Sequence, residues 1–232
     1  MRILGVLFAA SLGITTPAVP NGAAQDDPGL QEDLAACARD SAAAVQERYE
    51  AVGDLEARFE QQTRSVALGT GAAASATTSA GRVLFAKPGR MRWDYERPRP
   101  SLVVSNGEVM WLYDPDSSEA QRLPVTSGYL NGAALSFLVG EGRLTDEFEV
   151  GADECGASVA QLTLKPRTDA SYERLGLEVD RATGEVHATS IVDVFGNITV
   201  VRFQDLRTNQ APSAASFEFA PPVGTQVIDL VP

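Results

Sequence analysis

The stretch RVLFAKPGRMRWDYERP, Arg82 to Pro98, decides how the rest of the chain is read. In its second half Met91, Trp93 and Tyr95 alternate with Arg92, Asp94 and Glu96. A period of two puts three large apolar side chains on one face of a strand and three charged ones on the other. The same period returns on both sides. In LEARFE, Leu55, Ala57 and Phe59 alternate with Glu56, Arg58 and Glu60, and in VMWLYD, Trp111 and Tyr113 are in phase with Val109. Further β-rich segments, QLTLKP, LGLEVDRATGEVHATSIVDVFGNITVVRFQDL and ASFEFAPP, follow, with Asn-Gly, Thr-Gly and Gly-Asn turns between segments. A large curved antiparallel sheet with a few helices is the expected architecture, an α+β arrangement. Bulky aromatics gathered on one face serve either an ordinary core or a pocket for an apolar ligand.

Three segments depart from this pattern. From Leu30 to Val52 the positions Leu34, Ala38, Ser41, Val45, Tyr49 and Val52 step by three and four, which predicts an amphipathic helix with Cys37 at the margin of its buried face. GTGAAASATTSAG, residues 69–81, is small and uncharged and reads as a flexible hairpin tip. GYLNGAALSFLVGEGR places Leu130, Ala134, Phe137 and Leu138 on one side of a second helix.

The start of the chain carries Arg2, an uncharged apolar run from Ile3 to Val19, and small residues at Gly22-Ala23-Ala24. That is the pattern of a signal peptide over residues 1–24, followed by a single domain over residues 25–232. Leu34-Ala35-Ala36-Cys37 matches the tetrapeptide that marks a bacterial lipoprotein for acylation. It follows Asp26, Asp27, Glu32 and Asp33, however, whereas that signal ends the apolar run itself. Cys37 and Cys155 are the only cysteines, and in an oxidising compartment an even pair predicts a disulfide between a helix and a distant loop.

Composition narrows the functions. With 31 acidic against 19 basic residues and a net charge of −12, nucleic acid and anionic membrane faces are poor partners. The single histidine, His187, sits in an alternating segment and reads as a strand surface residue. One histidine and two distant cysteines have no metal-ligand spacing, so neither a catalytic triad nor a metal or other cofactor is expected.

FEQQ after the helix, then GRVLFAKPGRMRWDYERP, LVVSNGEVMWLYDP, DVFGNITVVRFQDLRTN and FEFAPPVGTQVID together resemble the outer-membrane lipoprotein carrier, or LolA, family, in order from about Leu34 to Asp229. The resemblance implies an unclosed antiparallel β-barrel with a helical lid over a hydrophobic cavity. It further implies a monomeric periplasmic chaperone of a Gram-negative bacterium that uses no cofactor and catalyses no reaction. Such a carrier takes lipoproteins by their acyl chains from an inner-membrane ABC transporter and delivers them to an outer-membrane lipoprotein receptor. By the same resemblance Phe85, Met91, Trp93, Tyr95, Trp111 and Tyr113 bind acyl chains, and the helices at Leu34–Val52 and Leu130–Val139 form the lid. Lys87 stands where many members carry an arginine that bonds to lid backbone. A lysine keeps the charge and loses the planar fork, so a looser latch is expected, or one shared with a Cys37–Cys155 bridge. Other roles remain open at this stage: another periplasmic lipid carrier, the anchored receptor of the same barrel type, or a secreted hydrolase using Asp or Glu pairs.

Overall fold

The computed structural model describes residues 28–66, 76–125 and 143–230. Residues 1–24 and the helix expected around 130–139 lie outside them. The described chain begins with helix α1, Pro28–Glu50, followed by strands β1 Asp54–Arg64, β2 Thr77–Ala86, β3 Arg90–Arg97, β4 Ser101–Asn106, β5 Val109–Asp114 and β6 Glu119–Pro124. A short helix α2, Leu144–Glu147, leads into β7 Phe148–Cys155, β8 Val159–Pro166, β9 Tyr172–Asp180, β10 Val186–Asp193 and β11 Ile198–Thr208. A 3-10 turn, Ala214–Phe217, and β12, Gln226–Asp229, complete it.

The strands form one sheet in the order β12-β6-β5-β4-β3-β2-β1-β11-β10-β9-β8-β7, curved and unclosed, with β7 and β12 at its two edges. Neighbours are antiparallel except for β12, which runs parallel to β6. The α+β class and open-barrel plan read from the sequence match this architecture. Turn chemistry explains the meander. Gly107, Gly184 and Gly196 take φ values of 98°, 68° and 83°, in the left-handed region that glycine enters without a Cβ penalty. Asn106 Oδ1 accepts from the backbone N–H groups of Glu108 and Val109 at 3.0 Å, closing the β4–β5 turn.

Two expectations are corrected by the strands. Of the hairpin tip read at 69–81, residues 69–75 lie outside the described chain, but Thr77 to Gly81 belong to β2, laddered against Thr63 to Phe59 of β1. Backbone N–H and C=O groups make that ladder, so small side chains do not prevent it. Cys155, expected in a loop, is the last residue of β7.

Helix α1 packs on β7, β8 and β9. Cys37, Ala38, Ser41, Ala42, Val45 and Tyr49 form its buried stripe, and at 3.6 residues per turn Cys37 stands at one edge of it, itself buried. Small residues let the helix come close: a Cβ built on Gly184 in the β9–β10 turn would lie 2.2 Å from the Ala44 carbonyl oxygen. With α1, the inner face of the sheet forms the main core, including Leu55, Phe59, Val83, Phe85, Met91, Leu162, Leu164, Leu175 and Leu177. A smaller cluster lies on the outer face, where Val104, Ala120 and Phe217 are fully buried.

Candidate functional site

Strand register decides which side chains meet. Leu55, Phe85 and Met91 stand in one row across β1, β2 and β3; Ala57, Val83 and Trp93 in the next; Phe59, Gly81 and Tyr95 in the third. All face inward. Phe59 meets Trp93 edge-on at 4.8 Å between ring centroids and Tyr95 at 5.1 Å; Phe85 meets Trp93 at 5.7 Å, and Trp93 stacks with Tyr95 at 6.3 Å. Because Gly81 has no side chain, the rings of Phe59 and Tyr95 close over the strand between them. The strands are also tight there: a Cβ at Gly81 would lie 1.9 Å from the Asp94 carbonyl oxygen.

Phe59, Phe85 and Met91 are buried, whereas Trp93 and Tyr95 are half-buried, as are Val103, Leu112 and Phe203, which share the inner face. Large apolar side chains left partly open on an inward face are what an apolar ligand needs. Burial pushes the Tyr95 hydroxyl pKa up. Phe59 and Phe203 were not among the site residues expected from sequence, although the alternation of Leu55, Ala57 and Phe59 held the signal for the first.

Trp111 and Tyr113 are not part of this wall. Trp111 pairs with Val104, and Val104 pairs with Arg92, so both aromatics stand on the outer face; Met110 and Leu112 take the inner positions. The expectation that they line the same surface as Trp93 is corrected. Alternation inside one strand does not say which of its faces continues the face of the next; only register does. On the outside, Trp111 lies 5.7 Å and Tyr113 5.2 Å from the Phe219 ring, and the Arg122 guanidinium sits 5.6 Å over Trp111. They anchor the C-terminal segment to the sheet.

Lys87 follows β2 at the end of the sheet where α1 stops. Its Nζ donates to the carbonyl oxygens of Tyr49 at 2.6 Å and Glu50 at 3.4 Å. These are terminal carbonyls of a helix, at the negative end of its dipole, where a cation is stabilised. Desolvation lowers the Lys87 pKa, partly opposed by the Glu50 carboxylate. Other contacts hold the same helix: Gln46 Oε1 accepts from the Leu144 N–H at 2.9 Å, Arg48 pairs with Glu185, and the Tyr49 hydroxyl accepts from the Val186 N–H at 3.4 Å. Near its other end a disulfide joins Cys37 to Cys155, with a Cα–Cα distance of 6.4 Å.

A separate hollow of about 650 Å³ opens on the outer face, lined mainly by Glu56, Arg58, Arg82, Arg92, Asp94, Asp205 and Arg207. Three of its four arginines pair with neighbouring acids, Arg82 with Glu96, Arg92 with Asp94 and Arg207 with Glu56. That charged ladder is unsuited to hydrocarbon, so the inner aromatic wall is the candidate site. Among the described residues no group of three or more His, Cys, Asp or Glu gathers that could hold a metal ion.

Comparison with known proteins agrees with this architecture. Residues 50–220 match the family model described as outer membrane lipoprotein carrier protein LolA. The chain is 30% identical to an outer-membrane lipoprotein carrier protein of Pseudomonas paraeruginosa, over 98% of this chain and 99% of that protein. It is 33% identical to a protein of the same name from Pseudomonas aeruginosa, over 75% and 80% of the two chains. Among solved structures it resembles an uncharacterized conserved protein from Thermus thermophilus, with a TM-score of 0.51 at 10% identity, covering 83% of this chain and 99% of the other. The family match spans well over half of the sequence, so the chain belongs to the outer membrane lipoprotein carrier protein LolA family.

Proposed function

We propose that this protein is a periplasmic chaperone that binds the acyl chains of lipoproteins released from the inner membrane and carries them to the outer membrane. The half-buried aromatic wall of Trp93 and Tyr95, backed by Phe59, Phe85 and Met91 on the inner face of an unclosed sheet, is the observation that carries the reading. The names of the Pseudomonas relatives support it. Each acyl methylene taken out of water contributes about 0.8 kcal/mol, so a lipoprotein does not leave a bilayer unaided. An apolar half-barrel stands in for the bilayer. Complete burial of several long chains would pass the practical ceiling of non-covalent affinity, about 18 to 21 kcal/mol, so a carrier that also releases its cargo must bury them only in part. A wall that is open on one side does that.

In this reading the protein acts without catalysis and travels as a monomer between an inner-membrane ABC transporter, which loads it, and an outer-membrane lipoprotein receptor, which unloads it. Lys87 and the Cys37–Cys155 bridge hold α1 over the inner face, and loading works against those tethers. The test is release of a lipoprotein from spheroplasts. The parent protein releases it into the medium, and Met91→Glu, which puts a carboxylate among the inner-face rings, does not, because burying that charge is unfavourable. Equal release by both proteins, or by neither, would refute the reading.

A further inference from the structure

The inner face is not apolar along its whole length. Along β1 its inward positions run Leu55, Ala57 and Phe59, and then Gln61 and Thr63. Beside these two the ladder places Ser79 and Thr77 on β2 and, on β11, the apolar Val201 next to Gln61 and Thr199 next to Thr63. The Tyr95 hydroxyl donates to Gln61 Oε1 at 3.0 Å, Gln61 Nε2 donates to Thr63 Oγ1 at 3.4 Å, and the Thr63 and Thr199 hydroxyls bond at 3.1 Å. Four half-buried polar side chains from β3, β1 and β11 thus form a connected band directly beyond the aromatic rings, at the ends of the strands away from Lys87.

Hydrocarbon alone has no use for such a band, since half-burying polar groups is unfavourable unless they find partners. After the bonds among themselves two donors remain for a ligand carbonyl, the second amide N–H of Gln61 and the O–H of whichever of Thr63 and Thr199 accepts in the bond between them, while the Tyr95 hydroxyl, already donating to Gln61, orients that amide. From Leu55 to Gln61, at about 3.3 Å per residue, the apolar floor is about 20 Å long, room for most of a long acyl chain laid along the strands.

We propose that the band of Tyr95, Gln61, Thr63 and Thr199 is a subsite for the ester and amide carbonyls that link acyl chains to a lipid-modified cysteine. The chains then run from the band toward Lys87, and the peptide leaves beyond Gln61 and Thr63. This rests on the carrier reading. A glycerophospholipid offers the same ester chemistry, so the test separates the two sources.

Three probes are titrated: a synthetic lipopeptide bearing N-acyl-S-diacylglyceryl cysteine, phosphatidylethanolamine, and diphenylhexatriene, a hydrocarbon with neither ester nor amide. The parent is compared with the Gln61→Leu/Thr63→Val double variant and with Thr199→Val, all at positions outside the aromatic wall. Thermal unfolding establishes that each is folded. The variants should bind the lipopeptide about tenfold more weakly, the effect of losing one or two hydrogen bonds, and bind diphenylhexatriene as the parent does. A parallel loss for phosphatidylethanolamine means that the band reads glyceryl esters, and no such loss means that it reads the acylated cysteine. Variants that bind the lipopeptide like the parent, lose diphenylhexatriene equally, or weaken for phosphatidylethanolamine alone overturn the proposal. A parent that binds diphenylhexatriene but not the lipopeptide overturns the carrier reading and this one with it.

Discussion

Trp93 and Trp111 have the same chemistry and sit in strands of the same alternating pattern, yet the sheet gives them different work. Trp93 touches Phe59, Phe85 and Tyr95 on the inner face, whereas Trp111 meets Phe219 and Arg122 on the outer one. Replacement by alanine separates the two. Trp93→Ala should cut binding of a hydrophobic fluorescent probe several-fold, because it removes a large part of the aromatic wall. Trp111→Ala should leave probe binding unchanged and lower the unfolding midpoint, because it frees the C-terminal segment. Similar probe loss in both would contradict the assignment of faces. Cys37 makes the same point about local pattern. Its tetrapeptide matches an acylation signal, but its sulfur is bonded to Cys155 and has no valence left for a thioether to lipid.

Helix α1 is tied down near both of its ends. The disulfide joins residues 118 apart in sequence, a closure for which the chain-entropy model gives about 4 to 5 kcal/mol of stabilisation. At the other end Lys87 supplies charged hydrogen bonds to the last carbonyls, worth about 1 kcal/mol in a partly solvated setting. Denaturant unfolding should therefore fall much further for Cys37→Ser/Cys155→Ser than for Lys87→Ala, with Lys87→Arg close to the parent. If α1 is a lid, reduced protein takes up an acyl probe faster than oxidised protein; identical uptake would mean that the helix stays in place during loading. The helix was legible in the sequence from its three-and-four spacing, but its tethers were only partly so. Gly184 approaches the Ala44 carbonyl, and Gln46 accepts from Leu144, across chain separations that no local pattern reports.

For the molecule as a whole, the signal pattern at the N-terminus leads to a mass prediction. The exported protein should be shorter by residues 1–24 and carry no lipid; a diacylglyceryl group on Cys37 would instead make it an anchored relative of the carrier. Local order alone determined a good deal. Alternation with a period of two specified strands, glycine dipeptides specified turns, and three-and-four spacing specified α1. These properties depend on side chains a few residues apart, which the chain holds together before it folds. Tertiary structure alone decided which face of each strand looks inward, that Phe59 joins Trp93 while Trp111 does not, and that Gln61, Thr63, Tyr95 and Thr199 line up across three strands. Each of these is a matter of register between strands, and register is set by the packing of the whole sheet, because a slip of one residue turns every side chain of a strand to the opposite face.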